Sequence, residues 1–148
     1  MLQSDEQRRI ATNLLRHLLW ADRMRQQFEL VHTRHAPELS QRLANNEVIF
    51  RPELLDGEMY LCLWFSLLQV VVEGWSRLKV QDEEITRLLR SPYKNMLRDF
   101  RNATFHPEDY DDDRINTMTA EGQISINWVR ELTDAFKSFF NTHMPIQI

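Results

Sequence analysis

The 148-residue sequence holds only three glycines, five prolines and one cysteine. With glycine scarce, prolines few and Leu, Arg, Glu and Gln plentiful, the composition favours an all-α fold. The lone thiol, Cys62, excludes an intramolecular disulfide; it sits inside an apolar run and reads as a small buried hydrophobe. A reducing, cytoplasmic setting is the default expectation. Positive charge is not in excess: the net charge is -4 and the pI about 5.7, so no global attraction to nucleic acid or to an acidic membrane is expected. No long uninterrupted hydrophobic run is present either. The longest, Met59 to Val72, is broken by Ser66 and Gln69, and reads as a buried helix rather than a membrane span. The first residues, Met1-Leu2-Gln3-Ser4-Asp5-Glu6, contain no apolar signal core.

What is present is a chain long enough for one domain, residues 1–148, with a proper core. Fifteen of its 18 basic residues are arginine. Arginine suits bidentate phosphate contacts and stacking, and is also a good helix former. Any contact with nucleic acid must come from a local basic face.

Ser4 before Asp5 and Glu6 marks a helix start. Ile10, Leu14, Leu18 and Ala21 carry the helix on, and Met24, Phe28 and Val31 extend it to about Ala36. His17, His32 and His35 lie on or beside it; His32 and His35 are spaced to share a metal, but no third ligand stands near. Pro37 restarts the chain for about two turns, ending at Asn45-Asn46. Val48-Ile49-Phe50-Arg51-Pro52 reads as an apolar linker, and Asp56-Gly57 as a break or kink. From Glu58 to Leu78 runs a helix apolar on nearly all sides, hence central to its bundle. Glu73, directly after the apolar run, needs a partner. It is either a helix-end ion pair or a support that orients Arg101 or His106. Lys79–Asp82 is a turn, and Asp82 to Arg90 a short capped helix, acids first and arginines last. Ser91-Pro92 opens the next helix. Beyond Pro107 the acidic run Glu108 to Arg114 lacks the spacing of a calcium loop and reads as solvated. Ala120 to Gln123 is a turn, and Asn127 caps a last amphipathic helix from Trp128 to about Asn141.

The most informative stretch is Met96-Leu97-Arg98-Asp99-Phe100-Arg101-Asn102-Ala103-Thr104-Phe105-His106-Pro107. Tyr93, Met96, Leu97, Phe100 and Ala103/Thr104 form one apolar stripe, with Arg98, Asp99, Asn102 and His106 off it. Arg101, Asn102 and His106 bring a strong cation, an amide and an imidazole together. Arg101 and His106 are five apart, about 140° round an ideal helix, and cannot meet on one straight face. Either the helix ends near Phe105 and His106 swings back, or the two converge on a ligand, or they meet across a subunit interface. Pro107 favours an ending.

Over residues 93–107 this pattern resembles the HEPN superfamily, whose core helix carries Arg, a polar residue, a few more residues and then His. Here it reads Arg101-Asn102-Ala103-Thr104-Phe105-His106. The resemblance implies an α-helical bundle of four to six helices and, as in many members, a metal-independent endoribonuclease of toxin or phage-defence type. It implies RNA as substrate, a homodimer that unites two motifs, no cofactor, and an antitoxin or regulatory protein as partner. On this reading Arg101, Asn102 and His106 are catalytic, Arg98 binds substrate and Glu73 supports. In some members a tyrosine two residues after the histidine is modified by an antitoxin; here that position is Glu108, and Tyr110 lies further on.

The residue types fit the chemistry. Cleavage by 2′-hydroxyl attack needs a proton taken from that hydroxyl, charge stabilised on the phosphate, and a proton given to the departing 5′-oxygen. An imidazole performs either proton step, and a guanidinium holds phosphate oxygens bidentately. Two rivals stand beside this reading. One is a helical module in which Arg101 and His106 merely cap the helix C-terminus, where cations are favoured. The other is a metalloenzyme built on the acidic run.

Overall fold

The computed structural model describes residues 2–45, 52–109 and 122–144. These residues form an all-α bundle of five α-helices: α1 (Asp5–Asn45), α2 (Pro52–Trp75), α3 (Glu83–Leu89), α4 (Tyr93–Phe105) and α5 (Gly122–His143). Short 3₁₀ turns, Ser76–Leu78 and Pro107–Asp109, follow α2 and α4.

The start of α1 is a reciprocal cap. The Gln7 backbone N–H donates to Ser4 Oγ (3.1 Å), while Gln7 Oε1 accepts from the N–H groups of Gln3 (2.8 Å) and Ser4 (3.3 Å). The expected stop at Ala36 is instead a bend. His35 leaves helical geometry (φ -121°, ψ 18°) ahead of Pro37, and the helix then resumes to Asn45. Proline removes one hydrogen bond and crowds the preceding turn, which bends a long helix without ending it.

α2 begins at Pro52, as the first-turn preference of proline dictates. The break expected at Asp56-Gly57 does not occur; the helix passes through both residues. Gly57 is there because α1 crosses close by: a Cβ at this position would lie 2.9 Å from Val31 Cγ1. At the other end Gly74 faces Leu14 in the same way. Phe28 meets Trp64 midway (ring centroids 6.0 Å), so α1 and α2 run antiparallel. By length and composition α2 is the one described helix that could cross a membrane, yet 56% of its apolar window is buried within the bundle. Its other faces pack Phe65 on Phe100 of α4 (4.7 Å) and Trp75 on Phe136 and Phe139 of α5 (5.4 and 4.8 Å).

Asp82 caps α3, its Oδ1 accepting from the Ile85 N–H at 2.9 Å. Ser91 Oγ accepts from the Tyr93 N–H at 3.2 Å at the start of α4, with Pro92 already in helical geometry. α5 starts at Gly122, a turn and a half before the Asn127 cap that the spacing suggests. Asn127 lies inside the helix, and its Oδ1 accepts from Arg130 Nη1 (3.2 Å). Charge pairs close the α1–α5 seam: Lys137 to Asp22 (2.9 Å) and Arg130 to Glu29 (2.8 Å). The linker at Val48–Arg51, the turn at Ala120 and the acidic residues from Tyr110 onward lie outside the described residues.

Candidate functional site

The face that matters is built by α4. Met96, Leu97, Phe100 and Ala103 are buried, as the stripe requires, and Phe100 wedges against Phe65. Arg98, Arg101, Asn102 and Phe105 follow at three- and four-residue steps and share the opposite, solvent-facing side. Arg98 and Phe105 are exposed; Arg101 and Asn102 are partly covered.

Cys62 of α2 lies beside Thr104 of α4, and Phe65 lies on Phe100, so the two helices run antiparallel. Long side chains then link the last turn of α2 to Arg101. Arg101 Nη1 donates to Glu73 Oε1 in a short ion pair, and Nη2 points to Asn102 Oδ1 at 3.5 Å. Gln69, one turn earlier on α2 and only 5% exposed, donates its Nε2 to the same Glu73 oxygen at 3.2 Å. The result is a chain of contacts running Gln69, Glu73, Arg101, Asn102. The Arg101 side chain keeps 30% of its surface open.

His106 stands apart from that chain. α4 ends at Phe105, and His106 takes an extended backbone (φ -123°, ψ 96°) while its N–H donates to Asn102 O at 2.8 Å. The ending foreseen from Pro107 is therefore present. The ring does not swing back onto Arg101; it lies 60% exposed, with Nδ1 3.8 Å from Glu108 Oε1. Neither the Arg101 nor the His106 side chain bonds a carbonyl of α4 in these described contacts. A purely capping pair would do so.

Glu73 answers the need for a partner by holding Arg101, not His106. Gln69 was not singled out by sequence reasoning; the available signal was its place four residues before Glu73, on the same helical face. Elsewhere, His32 stacks on Phe28 (5.5 Å), and among the described residues no group of three or more His, Cys, Asp or Glu is placed to hold a metal.

No protein-family model matches the sequence, and no curated protein or solved structure was found similar to it.

Proposed function

We propose that the protein is a metal-independent endoribonuclease of HEPN type, acting as a homodimer. The observation that carries the reading is the open end of α4: a partly exposed guanidinium held by a carboxylate, an amide beside it and, apart from these, a solvent-exposed imidazole one turn on. Arg101 would grip the non-bridging oxygens of one phosphate, with Arg98 on the same face adding affinity. One imidazole removes the proton of the 2′-hydroxyl as its oxygen attacks phosphorus. A second donates a proton to the 5′-oxygen as the P–O5′ bond breaks. The products carry a 2′,3′-cyclic phosphate and a 5′-hydroxyl, and no water is consumed in that step. One chain supplies one such imidazole, so a twofold pairing of α4 ends supplies both. Phe105, 60% exposed beside His106, is the contact assigned to that pairing.

A second reading draws on the Arg101–Glu73 ion pair itself. A guanidinium already neutralised by a carboxylate serves equally as a structural tie in a non-catalytic helical module that binds a protein, RNA or nucleotide. One experiment separates the two. Wild type, Arg101→Ala and His106→Ala are incubated with mixed RNA in EDTA, with folding and oligomeric state checked. The nuclease reading expects cleavage with cyclic-phosphate ends by wild type and loss of at least about a hundredfold in each variant. Equal inertness of all three proteins would leave the binding module.

A further inference from the structure

On the far side of α2 from this cluster, the outer face of α1 carries a second pattern. Arg9, Arg16 and Arg23 follow at seven-residue steps, and Arg34 comes eleven residues after Arg23. Steps of seven and eleven each return to within about 20° of the same azimuth on an α-helix. Trp20, eleven after Arg9, falls in the same band. All five side chains are exposed, Trp20 by 51%, and they lie opposite Leu14, Leu18 and Ala21, which face the core. The band is about 37 Å long at 1.5 Å per residue.

Two features separate this band from an ordinary solvated helix face. The first is its sign. Between Arg9 and Arg34 the only acids are Asp22 and Glu29, and both turn away to Lys137 and Arg130 of α5. Among the described residues none of the four band arginines has a carboxylate partner; Arg23 reaches only the neutral Gln26 amide, at 3.5 Å. The band thus concentrates positive charge on one face of a chain whose net charge is -4. Asp5, on the same azimuth four residues before Arg9, pairs with Arg8 instead, so the band stays open to an external anion. The second feature is the aromatic in its middle. The His17 ring lies 5.1 Å from Trp20, tilted by 58°, and is itself fixed by donating Nδ1–H to the Asn13 carbonyl at 2.8 Å. A propped, half-open indole between guanidinium groups is the arrangement on which an unstacked base settles while phosphates meet the cations. A duplex offers no free base face, which selects a single strand.

We propose that the outer face of α1 is a binding surface for single-stranded polynucleotide, with Arg9, Arg16, Arg23 and Arg34 on the phosphates and Trp20 stacked under a base. This does not rest on the nuclease reading, because the band shares no residue with the α4 cluster.

The test uses a fluorescein-labelled oligodeoxythymidylate of twenty nucleotides, which has no 2′-hydroxyl and cannot be cut by the chemistry above. Anisotropy at low salt is expected to show binding that weakens steeply as salt rises. Arg16→Gln with Arg23→Gln is expected to weaken it about tenfold or more and to reduce the salt slope by about 1.4, roughly 0.7 per lost phosphate contact on a single strand. Trp20→Ala is expected to lose about fivefold or more, and Trp20→Phe to keep most of the affinity. Trp64, Trp75 and Trp128 are buried, so quenching of indole fluorescence on binding reports Trp20. The proposal is overturned if wild type does not bind, if these variants, folded by circular dichroism, bind as wild type, or if polyglutamate competes as well as the oligonucleotide. Capture by anionic vesicles but not by the oligonucleotide would overturn it too. Normal oligonucleotide binding with no RNA cleavage sinks the nuclease reading alone. Cleavage by a protein whose band variants bind normally sinks this proposal alone.

Discussion

Glu73 and Arg101 stand 28 residues apart in the chain and share one ion pair across the α2–α4 contact, with Gln69 donating to the same carboxylate oxygen. Both partners are partly exposed, so the pair adds little to stability; such pairs contribute about 0–1 kcal/mol. Its larger effect is orientation. Without Glu73 the guanidinium is free to sample other rotamers. Glu73→Ala is expected to move the unfolding free energy by less than about 1 kcal/mol. If the protein is the nuclease proposed above, the variant should lower RNA cleavage by at least about tenfold, through turnover more than through binding. Denaturant melts and single-turnover cleavage check the two halves. Faster cleavage in the variant would mean instead that Glu73 competes with the phosphate.

Cys62 is buried where α2 meets α4. Burial pushes its thiol up to about 11, the nearby Thr104 hydroxyl pulls partly the other way, and the negative charge of Glu58 adds to the rise. The sign follows directly. The folded chain holds the thiol proton more tightly than the unfolded chain, so this group favours folding below pH 9.0, the ordinary thiol value, and that contribution fades as pH climbs toward about 11. At pH 7 to 8 a maleimide or iodoacetamide is expected to leave native protein unlabelled and to label it quantitatively in guanidinium. Rapid native labelling at neutral pH would show that the thiol is not sequestered.

The parts of this architecture that were legible in the chain are the ones set locally. The α4 stripe of Met96, Leu97, Phe100 and Ala103, the caps at Ser4 and Asp82 and the exposure of Phe105 depend on near neighbours, and periodicity reports those. Glycine at 57 misled, because a residue that usually punctuates a turn is used here to admit Val31 of another helix. Asn127 misled for a similar reason: its side chain receives Arg130 within α5 instead of capping it. That Glu73 needs a partner was legible from its position after an apolar run, but the choice between Arg101 and His106 was not. Gln69 as the second donor became visible only once the register between α2 and α4 was known. The α1 band was written in the seven-residue spacing of its arginines, but its lack of counter-charges was not. That required seeing Asp22 and Glu29 turn to the cations of α5.

Asp22 is the most buried carboxylate among the described residues. Burial alone would raise its pKa, but the hydrogen bond from Lys137 and the charge of Arg25 outweigh that and hold it below the ordinary carboxylate value. A lowered folded value means the carboxylate stabilises the fold above the unfolded value and loses that contribution as pH falls through the folded one. Asp22→Asn is expected to cost about 1.5–3 kcal/mol at neutral pH, the range for hydrogen bonds to charged groups. The difference from wild type should shrink below about pH 4, where the wild-type carboxyl begins to protonate in the unfolded chain. Urea melts at pH 7 and pH 3 make the comparison.

The two glycines of α2 should respond to alanine in different ways, although both face α1. In each, alanine gains about 1 kcal/mol of helix propensity. At Gly57 the new methyl would crowd one methyl of Val31 and touch its Cβ at ordinary distance (3.6 Å); Val31 is only partly buried and can yield by a few tenths of an ångström. Propensity and crowding then nearly cancel, and Gly57→Ala should stay within about 0.5 kcal/mol of wild type. At Gly74 the methyl would overlap Leu14, whose Cγ and Cδ1 also stand close (3.3 and 3.4 Å) and which is itself buried. Leu14 has no open side to move into, which puts the cost in the upper part of the usual overpacking range, about 2–3 kcal/mol, before the propensity gain is set against it. Gly74→Ala should therefore be destabilising by about 1–2 kcal/mol. The double variant Gly74→Ala with Leu14→Ala should recover less than Leu14→Ala alone loses, because one new methyl fills only part of the vacated space. Denaturant melts of the four proteins form a cycle, and a neutral Gly74→Ala would show that α1 and α2 are not held as closely there as Leu14 implies.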